Sequence, residues 1–221
     1  MPRVKQRTPA LRDHVLNVAL ATLAAEGVAG FTTRRVAEQA QTSTPAVYEL
    51  FGDKAGLVRE VFFEGFRLLR RRFGELAQTP DPRADLAEVL RAFRVFVRDN
   101  PVLSQLMFSR PFADFDPGPA EQEAGAAVRE FIVGRVRRCT RAGLLRRAGP
   151  GPDADAEAGT GTVDVGTVDV GTVDADIAHV LLALAQGLAA QESAGWLGSS
   201  RESRDRRWEL AVEAMLTGLA P

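Results

Sequence analysis

A single cysteine, Cys139, rules out an internal disulfide, and two histidines, His14 and His179, far apart in the chain, leave no Cys/His set for zinc. No metal and no cofactor is expected. Tyrosine occurs once, at Tyr48, and lysine twice, at Lys5 and Lys54, so arginine supplies nearly all of the 28 basic side chains. No run approaches the roughly 18 uninterrupted apolar residues of a membrane span. The N-terminal Met-Pro-Arg-Val-Lys-Gln-Arg leads into a charged amphipathic segment rather than the apolar stretch of a signal peptide. The expectation is a soluble cytoplasmic protein with no membrane partner. A Gly-rich phosphate loop, a histidine cluster and a Gly-x-Ser-x-Gly elbow are also missing, so nothing in the chain marks an enzyme.

What is present suffices for a folded protein: 45% of the 221 residues are apolar, enough for one or two ordinary cores. The net charge of −1 hides a mild asymmetry, because residues 1–60 carry eight bases against six acids. That imbalance fits a solvated surface and an anion-binding end equally well.

The periodicity is helical throughout. Thr8 caps a first helix with Pro9 at its first position, and Leu11, Val15, Ala19 and Leu23 recur every fourth residue until Gly27 stops it. Thr32 and Thr33 offer caps for a short second helix whose inward side is Val36, Ala37 and Ala40. After a turn at Gln41 and Thr42, Ser43 caps a third helix that tolerates Pro45 in its first turn and packs Val47, Leu50 and Phe51 inward. Gly52 ends it and Asp53 caps a long fourth helix over 54–78. Further helices are expected after Pro80 and Pro82 to about Asp99, over 102–108, over 120–147, over 176–194 and over 201–219. Between them, 148–176 holds seven acids, no base and three successive pentads, Gly-Thr-Val-Asp-Val twice and Gly-Thr-Val-Asp-Ala once. A five-residue period fits no calcium-loop spacing, so this segment reads as a flexible acidic loop.

Two short helices joined by a four-residue turn have the spacing of a helix-turn-helix, whose second helix enters the DNA major groove. A plain packing corner has the same spacing. The outward residues favour DNA: Thr44, Pro45, Ala46, Tyr48 and Lys54 are small, hydrogen-bonding or cationic, as a groove reader and its phosphate rim require.

The run Phe-Thr-Thr-Arg-Arg-Val-Ala (31–37), the core Ser-Thr-Pro-Ala-Val-Tyr (43–48), Phe51, and Asp53-Lys54 followed by Ala-Gly-Leu resemble the N-terminal domain of TetR-family transcriptional regulators. The match covers residues 9–60; beyond it, the number and order of helices are similar. The resemblance implies an all-α fold with a DNA-binding head at 1–53 and an effector-binding and dimerisation body at 54–221. It implies that Thr33 caps the second helix and donates to a phosphate, and that Arg34 reaches a base edge, with guanine O6 and N7 the best fit. Tyr48 and Lys54 clamp the backbone, while Thr44, Pro45 and Ala46 face bases with Ser43 and Glu49 beside them. Three positions depart from the family pattern. Gln41 stands where the turn commonly has glycine, which costs about 1–2 kcal/mol if the backbone there is left-handed, and Glu49 and Leu50 replace residues that are often basic or aromatic.

In the body, Phe62, Phe66, Phe93, Phe96, Met107, Phe108 and Phe131 are candidates for an effector cavity, or plain core. Leu181, Leu184 and Leu188 of the eighth helix and Trp208, Val212, Met215, Leu216 and Leu219 of the ninth are candidates for a homodimer interface, or again core. The implied function is a ligand-responsive repressor that binds a palindromic double-stranded operator as a homodimer. A small apolar or aromatic effector releases it by preferring one separation of the two heads. The alternative is a helical ligand-binding or scaffolding protein with weak or lost DNA binding.

Overall fold

The protein's structure is a computed structural model that describes residues 9–108, 119–146 and 173–221. Thr8, residues 112–118 of the expected loop and most of the pentad repeat lie outside the described residues, while Pro119, expected in that loop, starts a helix. Among those described there are nine α-helices and no strand, the expected class.

These residues form two compact units. The first draws on Met1–Arg67 and Asn100–Phe115, the second on Leu68–Asp99 and Asp116–Pro221. In the first unit, α1 (Pro9–Gly30) runs from its N1 proline to Gly27, where φ of 68° breaks the helix, and a last turn carries the chain to Gly30. Then come α2 (Thr33–Gln39), α3 (Thr44–Phe51), the first part of α4 (Lys54–Gly74) and α6 (Pro101–Phe108). Val15, Ala19, Val36, Val47, Leu57 and Val61 are fully enclosed, the valines and the leucine each contributing about 1.5–3 kcal/mol on leaving water and the alanine methyl about 0.8 kcal/mol.

The second unit packs α5 (Pro82–Asp99) against α7 (Pro119–Arg141) and α8 (Val173–Ser193), with α9 (Arg201–Gly218) against α5 and α8. Its buried side carries an ionic cluster. The Asp85 carboxylate accepts from the Thr79 hydroxyl at 2.7 Å, from the Thr79 N–H, and from the guanidinium groups of Arg135 and Arg138. Arg135 also donates to the Leu76 and Ala77 carbonyls, and Arg138 to that of Thr79, so α7 holds the segment between α4 and α5 in place. Burial alone would push the Asp85 carboxyl up; the hydrogen bonds from Thr79 and Arg138 outweigh it and hold it below the usual carboxylate range. Cys139 is buried beside the Pro82 carbonyl, and burial pushes its thiol up to about 11.

Several helix ends differ from the sequence reading. Helix α4 stops at Gly74 rather than 78, because the next residues are committed to the arginines of α7. Helix α7 ends at Arg141, where Gly143 at φ 70° closes it. Helix α8 begins at Val173, inside the third pentad, so 173–176 belongs to a helix and not to the acidic loop. Its Asp174 accepts from the Thr140 hydroxyl at 2.8 Å and pairs with Arg137. Among the described residues α8 is the one helix long and apolar enough to cross a membrane by length and composition; here its apolar side packs into the second unit.

Candidate nucleic-acid interface

The candidate interface is built within the first unit from α2, the turn after it, and α3. Two hydroxyls set the helix starts. Thr32 Oγ1 accepts the Arg35 N–H at 3.2 Å, and Ser43 Oγ accepts the Ala46 N–H at 3.3 Å, each satisfying a first-turn donor that has no intrahelical partner. Thr32, not Thr33, is therefore the cap of α2. Thr33 is the first helical residue and is buried at 5% exposure.

Between the helices the chain closes as a Schellman motif. The Thr42 N–H reaches back to the Ala37 carbonyl at 2.9 Å and the Gln41 N–H to that of Glu38 at 3.1 Å. This closure places its C′ residue in the left-handed region, where glycine is at home, and Gln41 occupies it at φ 51°. The α7 and α8 ends close in the same way on Gly143 and Gly195. Gln41 is the one non-glycine residue with positive φ among the described residues.

The head is locked by polar contacts with no short-range sequence signature. On α1, Glu26 Oε1 accepts from Arg35 Nε at 2.8 Å and from Gln39 Nε2 at 3.0 Å, while Thr22 donates to Gln39 at 2.6 Å. The hydrogen bond to Glu26 and its charge raise the Arg35 guanidinium above its ordinary value. Arg12 pairs with Glu60 of α4 at 2.7 Å and lies 5.0 Å over the ring of Phe51, the last residue of α3. One guanidinium thus ties α1 and α4 to the end of the candidate reading helix. Asp53 Oδ1 accepts the Gly56 N–H at 2.7 Å and starts α4. The Asp53 cap is local and legible in the sequence, whereas the partners of Glu26 and Arg12 lie too far apart in sequence to be read from it.

What this scaffold presents is polar and cationic. Tyr48 is 44% exposed, and Ser43, Pro45, Glu49 and Lys54 are exposed, with Thr44 and Ala46 half-buried at the start of α3. Arg34 projects from α2 with its side chain 85% exposed, paired at 3.0 Å with Glu38 one turn on. An exposed pair of that spacing contributes only about 0.3–0.5 kcal/mol. The arrangement offers a groove-width helix with small residues at its N-terminal end and hydrogen-bond donors around it.

Two segments of the chain match known families. Residues 15–61 match the bacterial regulatory proteins of the tetR family, and residues 86–215 match the tetracyclin repressor-like C-terminal domain. The chain belongs to the TetR family. It is a transcription regulator with a helix-turn-helix DNA-binding domain and a C-terminal ligand-binding domain. Solved structures share this fold at low identity. A protein of unknown function from Rhodococcus sp. RHA1 is 24% identical with a TM-score of 0.75, over 99% of this chain and all of that one. The TetR-family regulator PfmR from Thermus thermophilus is 15% identical with a TM-score of 0.61, over 94% of this chain and 99% of that one. A TetR variant from Acinetobacter baumannii AYE in complex with minocycline is 16% identical with a TM-score of 0.58, over 92% and 93%. No curated protein sequence matches the chain.

The effector candidates of this TetR-family chain fall into both units. In the first, Phe66 lies 4.9 Å from Phe62 and 6.0 Å from Phe108, and Met107 packs against Gly65. In the second, Phe131 stacks on Phe73 at 5.5 Å, while Phe93 and Phe96 are buried. Two cavities, one beside Leu23, Phe31 and Val58 and one beside Thr140 and Pro221, are lined by none of the seven. The dimer candidates also divide. Leu181, Trp208, Val212 and Leu216 are buried within the chain itself, so they are intramolecular core and not a surface for a second copy. Leu184 is 48% exposed, Leu188, Met215 and Leu219 are half-buried, and Val180 and Leu210, absent from the sequence reading, add exposed apolar surface on α8 and α9.

Proposed function

We propose that this chain is a ligand-responsive repressor that reads a palindromic operator as a homodimer, with residues 1–53 as the reading head and 54–221 as the effector-binding and dimerisation body. The observation that carries the reading is the exposed start of α3, with Tyr48, Lys54 and Arg34 standing clear of the core around it. In this reading Arg34 donates to a base edge, with guanine O6 and N7 matching its fork, and Tyr48 and Lys54 hold phosphates on either side of α3. Thr44, Pro45 and Ala46 face bases, Pro45 and Ala46 suiting a thymine methyl, with Ser43 and Glu49 at the edge of the contact.

The exposed apolar residues Val180 and Leu184 of α8 and Leu210 of α9 are the contacts for the second subunit, in place of the four buried ones. Within the first unit the half-buried rings Phe66 and Phe108 are those that a small apolar or aromatic effector would meet first, and within the second unit, taken by itself, Phe131 is. The effector acts by preferring one separation of the heads, and its effect on operator affinity equals the difference between its affinities for the two states. Catalysis has no place in this scheme.

Selection of random duplex DNA by the purified chain tests the reading. Enrichment of a two-fold symmetric site, bound with a steep salt dependence and weakened by Arg34→Gln, Tyr48→Phe and Lys54→Gln, is the expected result. Enrichment of nothing, or affinity that survives all three changes, refutes it.

A further inference from the structure

The two arginines at the start of α2 are adjacent in sequence and differently employed. Arg35 is bound into the α1–α2 lock by Glu26 at 2.8 Å, and Glu26, with a side chain 28% exposed, also holds Gln39. Among the described residues Arg34 pairs with Glu38 alone, at 3.0 Å, and the other oxygen of Glu38 lies 4.0 Å from Arg35. The carboxylate of Glu38, with its side chain 52% exposed, thus stands between both guanidinium groups and does for them what a phosphate would do. Among the described residues, unlike Glu26, it reaches no second helix: all three groups sit on α2, so the carboxylate positions the arginines themselves.

We infer that Glu38 is a specificity-determining residue that acts without touching a base, as an internal substitute for phosphate. The inference rests on the reading of this head as the DNA-binding surface. On random DNA, Arg34 exchanges a carboxylate for a phosphate, one anion for another of similar geometry, and the Glu38 charge left behind sits within a Debye length of the backbone and repels it. Little is gained. At the right site, Arg34 exchanges the carboxylate for a base edge that fits its fork in two hydrogen bonds, and the gain is specific. Glu38 therefore lowers affinity for all DNA, and lowers it most where only phosphates are on offer.

The experiment compares the full chain with Glu38→Gln and Glu38→Asp, on the duplex enriched by selection and on a scrambled duplex of equal length and composition, over a range of salt. Glu38→Gln should raise affinity for scrambled DNA about fivefold near 0.15 M salt and steepen the salt slope by about 0.9, the equivalent of one more phosphate contact. The enriched duplex should gain less, so the ratio between the two falls. Glu38→Asp keeps the charge and should keep most of the ratio, which a merely helix-stabilising role would not require. In an Arg34→Gln background the same Glu38→Gln change should lose most of its effect. If the unsubstituted chain binds DNA and Glu38→Gln changes neither slope nor ratio, or raises both affinities equally, the inference fails and the reading of the head stands. If no variant binds either duplex, the reading of the head fails and takes this inference with it.

Discussion

Arg94 of α5 grips Glu192 of α8 through two parallel hydrogen bonds, Nε to Oε2 and Nη2 to Oε1, each 2.7 Å long. The same guanidinium reaches Asp205 of α9 at 2.8 Å and lies 5.2 Å over the Trp208 ring, so one side chain joins three helices of the second unit. Both partners of the bidentate pair are largely enclosed. Glu192→Gln removes the counter-charge and one fork contact, and should cost about 2 kcal/mol of stability. Chemical denaturation of the variant against the parent checks this; a loss under about 0.5 kcal/mol would reduce the pair to a surface contact.

Acid should destabilise the second unit through the same chemistry. The carboxyls of Asp85 and Glu192 both lie below their ordinary values, against the upward push of burial, because hydrogen bonds from Thr79 and Arg138 in one case and from Arg94 in the other favour the charged form. A depressed folded-state pKa adds stability that is present above the unfolded value, about 4 for either residue, and fades as pH falls through the folded one. Unfolding free energy should therefore be level from neutral pH down to about 5 and drop below about 4. The drop should be smaller in Asp85→Asn, which is less stable at neutral pH from the start.

Gln41→Gly should stabilise the head. The Schellman closure needs φ near 51° at this position, and a residue with a Cβ pays about 1 kcal/mol there that glycine does not. A rise of a few degrees in the thermal midpoint, with the turn's hydrogen bonds kept, is the expected outcome. An unchanged or lowered midpoint would mean that the glutamine side chain has contacts worth as much as the strain.

Gly56→Ala should do the opposite. A Cβ at this position would overlap the Phe51 carbonyl oxygen, a backbone atom that cannot swing aside. The helix-propensity gain of about 1 kcal/mol is outweighed by displacement of the α3–α4 junction. Thermal unfolding should fall by several degrees, and a variant as stable as the parent would contradict the close approach.

Leu184→Glu tests the dimer surface. At 48% exposure the side chain has room for a carboxylate in the single chain, so folding should be retained. A charge at the centre of an apolar subunit contact should shift the chain from dimer to monomer in sedimentation velocity at micromolar concentration. Retention of the dimer would move the interface elsewhere.

Local signals made the head legible. Hydroxyl caps before short apolar stripes, glycine after Phe51 and aspartate before Lys54 set α2, α3 and the start of α4 by interactions within one turn, and a sequence displays those directly. Adjacent Thr32 and Thr33 were harder, since either hydroxyl suits a cap and only the backbone decides which is buried. The end of α4 was illegible for a different reason: Leu76 continues the apolar stripe, but Arg135, remote in sequence, captures its carbonyl. Among the apolar residues of α8 and α9, periodicity marks a stripe without saying what covers it. Leu181 and Leu184 look alike in sequence and lie on opposite sides of that decision.

Cys139 is the only thiol in the chain, enclosed and held protonated well above neutral pH. Alkylating reagents need both access and thiolate, and it offers neither. The native protein is thus already a blank background for site-directed labelling. A cysteine introduced at Leu184 or at the exposed Asn17 of α1 would carry the sole probe on each chain, and paired spin labels at Asn17 would measure how far apart two heads stand as DNA or an effector is added.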